Sequence, residues 1–228
     1  MFDREYILIG NKIDLLKQSN VLLVGLGGVG GYVLESLARS GIEHFTIVDF
    51  DKVDISNTNR QLIAIKSNYG LYKTDCWKKR LKEINPEIVI EKVTEFLDEN
   101  NIDRILSKDY TFVIDCIDSV NSKKLLIEKS VEKKIPIISS MGTGNKLNPS
   151  LLKIDKLKKT EVCPLARKMR SLLRDNKKTL DIDVLYSTEK VIKNEENNHI
   201  GSISYLPAIS GLLISNYVIK NIIDEKEK

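Results

Sequence analysis

Cysteines, histidines and long apolar runs are all scarce in this chain of 228 residues, and each scarcity closes off a class of function. Three cysteines, Cys76, Cys116 and Cys163, give no disulfide framework. Cys76, on a helix, and Cys116, in a buried strand, read as small core hydrophobes. The two histidines, His44 and His199, sit in no motif, and His44 reads as a surface residue in the loop before a strand. Met1–Asn20 carries Asp3, Arg4, Glu5, Lys12, Asp14 and Lys17, which rules out a secretory apolar core. The longest apolar stretch, Ile203–Ile223, is broken by Pro207, Asn216 and Lys220 and predicts a buried helix, not a membrane span. There is no internal repeat and no low-complexity tract. With 42% hydrophobic and 30% charged residues, the composition is ordinary for a soluble protein, and the lack of a disulfide framework leads us to expect the cytoplasm.

What is present is concentrated between Val21 and Asn59. An apolar strand enters Gly25-Leu26-Gly27-Gly28-Val29-Gly30, a helix follows, and a second apolar strand ends on Asp49. Glycines let the backbone approach phosphates at the positive end of the helix, and an acid about 20 residues on can accept hydrogen bonds from ribose hydroxyls. The motif alone leaves NAD(P) or FAD and ATP equally open. The following residues favour ATP. Asp51, Asn57, Asn59, Arg60, Gln61 and Lys73 come next, and Asp118 ends a later strand that begins at Phe112. A triphosphate site needs converging cations and a metal-type carboxylate, whereas a hydride-transfer site has little use for them.

The rest of the first half alternates. A helix over Lys73–Ile84 stops at Asn85-Pro86, followed by a strand at Ile88–Val93 and a short helix near Asn101–Leu106. A strand at Thr111–Ile117, a helix over Ser122–Lys134 and a strand at Ile137–Met141 complete it. This order predicts an α/β fold: a doubly wound, mostly parallel Rossmann-like sheet with ligands at the carboxyl ends of its strands. Beyond residue 145, Leu151–Ile154 and Val184–Tyr186 are expected as an antiparallel C-terminal extension of the same sheet, with a last strand and helix from Ser202. The chain is therefore read as one domain over 1–228, with a nucleotide-binding half over 1–145 and an extension carrying a basic segment over 146–228. The segment Lys190–His199 finds no place in this scheme.

Charge is uneven. From Lys153 to Lys178 there are ten Lys/Arg against three Asp/Glu, although the whole chain carries only +4. A helix over Leu165–Arg174 would align Leu165, Met169, Leu172 and Leu173 on one face and leave Arg167, Arg170 and Arg174 on the other. Such a row suits a nucleic-acid phosphate backbone, and a merely solvated helix face would look the same.

Taken together, the glycine turn, Val48–Gln61, Gly70–Asp75, Ile84–Glu87 and Asp115-Cys116-Ile117-Asp118-Ser119 resemble the ATP-dependent adenylating enzymes. These include ubiquitin-type activating enzymes and the molybdopterin and thiamine sulfur-carrier adenylyltransferases. The resemblance assigns the ribose to Asp49, the phosphates to Asn57, Arg60 and Lys73, and Mg2+ to Asp118. Zinc is not expected, because this chain lacks the two Cys-x-x-Cys pairs common in the sulfur-carrier enzymes. Ile138–Lys146, Lys159–Ala166, Asp183–Glu189, Gly201–Tyr205 and Phe2–Gly10 resemble one branch of that superfamily, the tRNA threonylcarbamoyladenosine dehydratases.

That branch implies an enzyme that uses ATP to cyclise threonylcarbamoyladenosine at tRNA position 37, with Arg60, Lys73 and Asp118 doing the catalytic work. It further implies a homodimer in which Arg4 reaches the partner's ATP, and leaves room for a sulfur-relay protein of the SufE type. Ring closure by a nitrogen of the substrate needs no enzyme nucleophile, so a thiol intermediate at Cys163, in a segment read as mobile, is a side alternative. Gly142-Thr143-Gly144-Asn145 is either a cradle for the threonyl carbonyl or a plain turn. Asn148-Pro149-Ser150-Leu151 stands where relatives typically carry Asp-Pro-Thr-Arg. The runner-up reading is activation of the C-terminal carboxylate of a ubiquitin-like sulfur carrier, and an NAD-binding regulatory protein comes third.

Overall fold

The central strands of this chain are buried on both faces, and that dictates where they lie. In β1 (Asn20–Val24), Val21 and Leu23 enter one core cluster while Leu22 and Val24 enter another. A strand buried on both sides reads as a continuous apolar run and needs helices above and below. The computed structural model describes residues 1–192 and 200–224. Residues 193–199, most of the segment that the sequence did not place, lie outside the described residues.

In chain order, the helices α1 (Asp3–Ile9) and α2 (Ile13–Gln18) lead into β1, α3 (Gly28–Arg39), β2 (His44–Val48), α4 (Lys73–Ile84) and β3 (Val89–Val93). There follow α5 (Ile102–Ile105), β4 (Phe112–Asp115), α6 (Val120–Glu132), β5 (Ile137–Ser140) and β6 (Leu152–Lys156). The chain continues with α7 (Pro164–Leu172), α8 (Lys177–Leu180), β7 (Asp183–Ser187) and α9 (Tyr205–Asp224). The seven strands are ordered β3-β2-β1-β4-β5-β7-β6, all parallel except β6, which runs antiparallel to β7. The chain moves outward from β1 to β3 and then crosses to β4 on the other side of β1. This reversal opens a crevice at the carboxyl ends of β1 and β4, where α/β sheets take ligands.

The expected doubly wound sheet with its antiparallel C-terminal pair is what forms. Two expectations fail. No strand begins at Ser202: residues 201–203 run without regular structure and α9 begins at Tyr205. The strand expected over Thr111–Ile117 stops at Asp115, because the Asp115 carboxylate accepts the Ile117 amide at 3.0 Å and turns the chain. His44 is exposed, as expected, but as the first residue of β2.

By length and composition α9 could cross a membrane, yet it packs along α3 as a core helix. Leu206, Ile214, Val218 and Ile222 are buried, and Ser215 Oγ donates to the Val33 carbonyl of α3.

Candidate active site

The glycine turn is shaped by crowding. Gly25 has φ +91°, and a Cβ there would come within 2.5 Å of the Cys116 carbonyl oxygen. A Cβ on Gly30 would lie 1.8 Å from the Gly25 carbonyl oxygen. The turn is thus pressed against the end of β4, and no side chain caps α3 at Gly27. The first-turn amides of α3 therefore face the crevice with the positive end of the helix dipole.

The crevice encloses about 270 Å³. Gly25, Gly27, Gly28, Asp49, Asp51, Asn57, Arg60, Lys73 and Asp118 all line it, so nine residues singled out from the sequence converge on one place. Gln61 lines it as well, with a buried Oε1 that has no partner among the described residues. So do Phe50 and Phe96, half-exposed rings 5.0 Å apart and edge to face, which sequence reasoning missed. For Phe50 the signal was its place between two acids, Asp49 and Asp51.

Asp49 ties the site together. Its Oδ2 accepts the Leu26 amide of the glycine turn at 2.7 Å, and its Oδ1 accepts the Asp51 amide at 2.8 Å. Burial pushes its carboxyl above the ordinary carboxylate range, against the opposing pull of Lys73. Lys73 is buried at the first turn of α4. Its ammonium donates to Asp51 Oδ2 at 2.6 Å and lies 3.9 Å from Asp49 Oδ1. Arg60 donates through Nη1 to the Ser56 carbonyl at 2.9 Å and to Asn59 Oδ1 at 2.8 Å. Asn57 completes a capping box with Asp54, whose amide it accepts at 3.2 Å.

Asp118 is exposed at the rim and makes no hydrogen bond or ion pair among the described residues. No group of three or more His, Cys, Asp or Glu side chains clusters to hold a metal among those residues. A single unpaired carboxylate suits Mg2+, which takes one or two carboxylates and completes its shell with phosphate oxygens and water.

The cysteines are free thiols, two of them buried. Cys116, at the cavity wall, has its thiol pushed up to about 12 by burial and by the Asp115 carboxylate. Cys163 does not lie in an open segment: it is 2% exposed, packed in the second core cluster at the start of α7.

The basic segment is real, but its arginine row is not as expected. Arg170 turns inward, and its Nη1 donates to the Thr160 carbonyl at 2.8 Å and to the Thr160 hydroxyl. Leu172 is exposed, and Ala166, Met169 and Leu173 form the buried stripe instead. The helix ends at Leu172, too early to carry Arg174 on the same face, and Arg174 pairs with Asp175 at 3.7 Å. Lys156, Lys158 and Lys159 are spent on Asp183, Asp181 and Asp155. Lys153, Arg167, Lys168, Lys177 and Lys178 are exposed without a salt-bridge partner among the described residues. Arg4 lies on α1, exposed and away from the cavity of its own chain.

Residues 2–228 match the model of the ThiF family. The chain is 32% identical to the tRNA threonylcarbamoyladenosine dehydratase of Bacillus subtilis, over 99% of this chain and 96% of that protein. It is 37% identical to the Escherichia coli enzyme of the same name, over 81% of this chain and 72% of that one. A crystal structure of the Escherichia coli tRNA N6-threonylcarbamoyladenosine dehydratase in complex with ATP superposes with a TM-score of 0.93 at 32% identity, covering 99% of this chain and 95% of that one.

Proposed function

The chain belongs to the ThiF family, and on that footing we propose that it is an ATP-dependent tRNA-modifying dehydratase that cyclises N6-threonylcarbamoyladenosine at position 37. The observation that carries this reading is the convergence of the glycine turn, Asp49, Arg60, Lys73 and Asp118 on one crevice. The unpaired cations of the 153–178 segment, in the same molecule, supply the footing for a polyanion.

In this reading the ribose hydroxyls bind at Asp49, and the phosphates lie between the first turn of α3, Asn57, Arg60 and Lys73. Arg60 exchanges the Ser56 and Asn59 oxygens for phosphate oxygens. Asp118 would hold Mg2+, which when bound would supply charge neutralisation along the phosphate tail. The substrate carboxylate attacks the α-phosphorus, a C–O–P linkage forms, and pyrophosphate leaves. A nitrogen of the threonylcarbamoyl group then attacks the acyl carbon and loses its proton, and AMP departs with the original carboxylate oxygen. The net change in the tRNA is the loss of water. The protein contributes position and positive charge, since the nucleophile belongs to the substrate.

Pairing of two copies extends the reading. α1 buries none of its residues and leaves Ile7 and Leu8 more than 80% exposed, an apolar face that a second copy would cover while Arg4 reached the ATP of its partner. Such an enzyme works in the cytoplasm, with tRNA and ATP.

The test is pyrophosphate release from ATP with tRNA bearing the threonylcarbamoyl group, set against the same tRNA without it. Release confined to the modified tRNA is expected. Equal release from both tRNAs sinks the reading, and release that requires a ubiquitin-like carrier protein instead moves the chain to the sulfur-carrier class.

A further inference from the structure

Lys123 is among the largest fully buried side chains of the described residues, at 0% exposure, and it lies behind the crevice on the first turn of α6. Its ammonium donates to Asp115 Oδ2 at 2.7 Å and to the Ser140 carbonyl at 3.0 Å, with Ser139 Oγ at 3.2 Å. Ser139 Oγ donates to the same Asp115 oxygen at 2.5 Å, and Asp115 Oδ1 accepts the Ile117 amide. Asp115 is also fully buried.

The ends of β4 and β5 meet in this network. Asp115 forms the turn that ends on Asp118, and Ser140 is the last residue of β5 before the Gly142–Asn145 loop. Ser122, beside Lys123, donates to the Leu97 carbonyl at 2.7 Å and anchors α6 to the cavity wall there. A buried ion pair gives little net stability over apolar residues of equal volume, so stability alone does not account for this one. Its geometry accounts for it: one cation fixes both strand ends and the turn between them.

We propose that Lys123 is a positioning residue that holds the Asp115–Asp118 turn so that the Asp118 carboxylate meets the metal on bound ATP. This deepens the reading above and rests on it. Groups that orient a metal-binding carboxylate without touching the metal typically matter 10- to 100-fold, so an effect of about 10-fold is expected.

The test measures ATP affinity by calorimetry with Mg2+ and again in EDTA, with no tRNA present. In wild type, Mg2+ should tighten ATP binding. In Lys123→Met, affinity in EDTA should stay within about threefold of wild type while roughly tenfold of the Mg2+-dependent gain is lost, and Lys123→Arg should restore most of it. Should Lys123→Met fail to fold, Ser139→Ala removes one donor to Asp115 and should lose about threefold of the gain. A full Mg2+-dependent gain in the variants overturns the proposal, as does an equal loss of ATP affinity with and without Mg2+. A wild-type chain with no affinity for ATP and Mg2+ brings down the adenylating reading and this proposal together. A normal wild type with unaffected variants brings down this proposal alone.

Discussion

The Lys73 ammonium lies 2.6 Å from Asp51 Oδ2, so the buried cation of the crevice is bound to an acid of the same chain before any phosphate arrives. Under the proposed function, nucleotide binding would be an exchange of partners, in which Lys73 shares or surrenders Asp51 for phosphate oxygens. The lysine is held in place at little reorganisation cost, which is the condition for strong electrostatic stabilisation of a transition state.

Loss of that cation should be felt in the chemistry before the fold. Lys73→Ala or Arg60→Ala should lower tRNA-dependent pyrophosphate release by about 100-fold or more, near 3 kcal/mol in the barrier, with cooperative thermal unfolding retained. Turnover within a few-fold of wild type in either variant would remove that residue from the reaction.

The basic segment separates into two kinds of arginine. Arg167→Ala with Lys168→Ala should weaken tRNA binding and flatten the dependence of log affinity on log salt by about two units, one for each phosphate no longer neutralised. Arg170→Ala should instead cost about 1 kcal/mol of stability, because the Thr160 carbonyl loses its donor. Salt titrations and denaturant melts of the two variants distinguish these outcomes. An unchanged salt slope in the double variant returns the segment to an ordinary solvated surface.

These differences show what a linear sequence carries and what it does not. The β1–α3–β2 unit was legible because Val21–Val24 is apolar on both faces and Gly25 and Gly30 are forced by close backbone. The nine cavity residues were legible as a group because a glycine turn and the acids and cations that follow the strands are expected to gather at the carboxyl ends of a parallel sheet. Arg170 was misread because helical spacing places it on the outer face, and only the packing of α7 on residues 157–160 offers it Thr160 from outside the helix. Leu172 was misread for the same reason, as the position of α7 on the second core selects Ala166 in its place. The buried Lys123 was invisible: in Ser122-Lys123-Lys124 two identical residues stand side by side, and the register of α6 over β4 alone decides which one is buried.

Acid should probe the junction of α3 and α4. Glu35 accepts from Arg80 Nε at 2.6 Å, Arg80 Nη2 at 2.9 Å and Arg39 Nε at 2.8 Å. Burial alone would raise its carboxyl, but the Arg80 and Arg39 guanidinium groups outweigh this and hold it below the ordinary value of 4.5. A carboxylate with a depressed folded-state pKa gives stability that is complete above the unfolded value and fades as pH falls through the folded one. Glu35→Gln should therefore destabilise by about 1 kcal/mol at pH 7, with the gap to wild type closing below pH 4.5. Chemical denaturation across pH measures it, and a gap that persists at low pH would refute the ionic origin.

The glycine turn offers a steric check. Gly30→Ala would put a methyl group 1.8 Å from the Gly25 carbonyl oxygen. Unfolding midpoints should fall by the equivalent of about 3 kcal/mol, well beyond the usual small gain of glycine to alanine in a helix. A variant as stable as wild type would show that the turn can relax.

Asp49 has a consequence for how such a site can diverge. Its two oxygens hold the amides of Leu26 and Asp51, so the acid proposed to take the sugar also keeps two loops in shape. Asparagine would present a donor where two acceptors are required, and glutamate would push the loops apart. A lineage drifting toward another nucleotide is thus barred from the simplest substitution. It would have to begin at freer positions such as Phe50 and Phe96, leaving the acid as a fossil of the original preference.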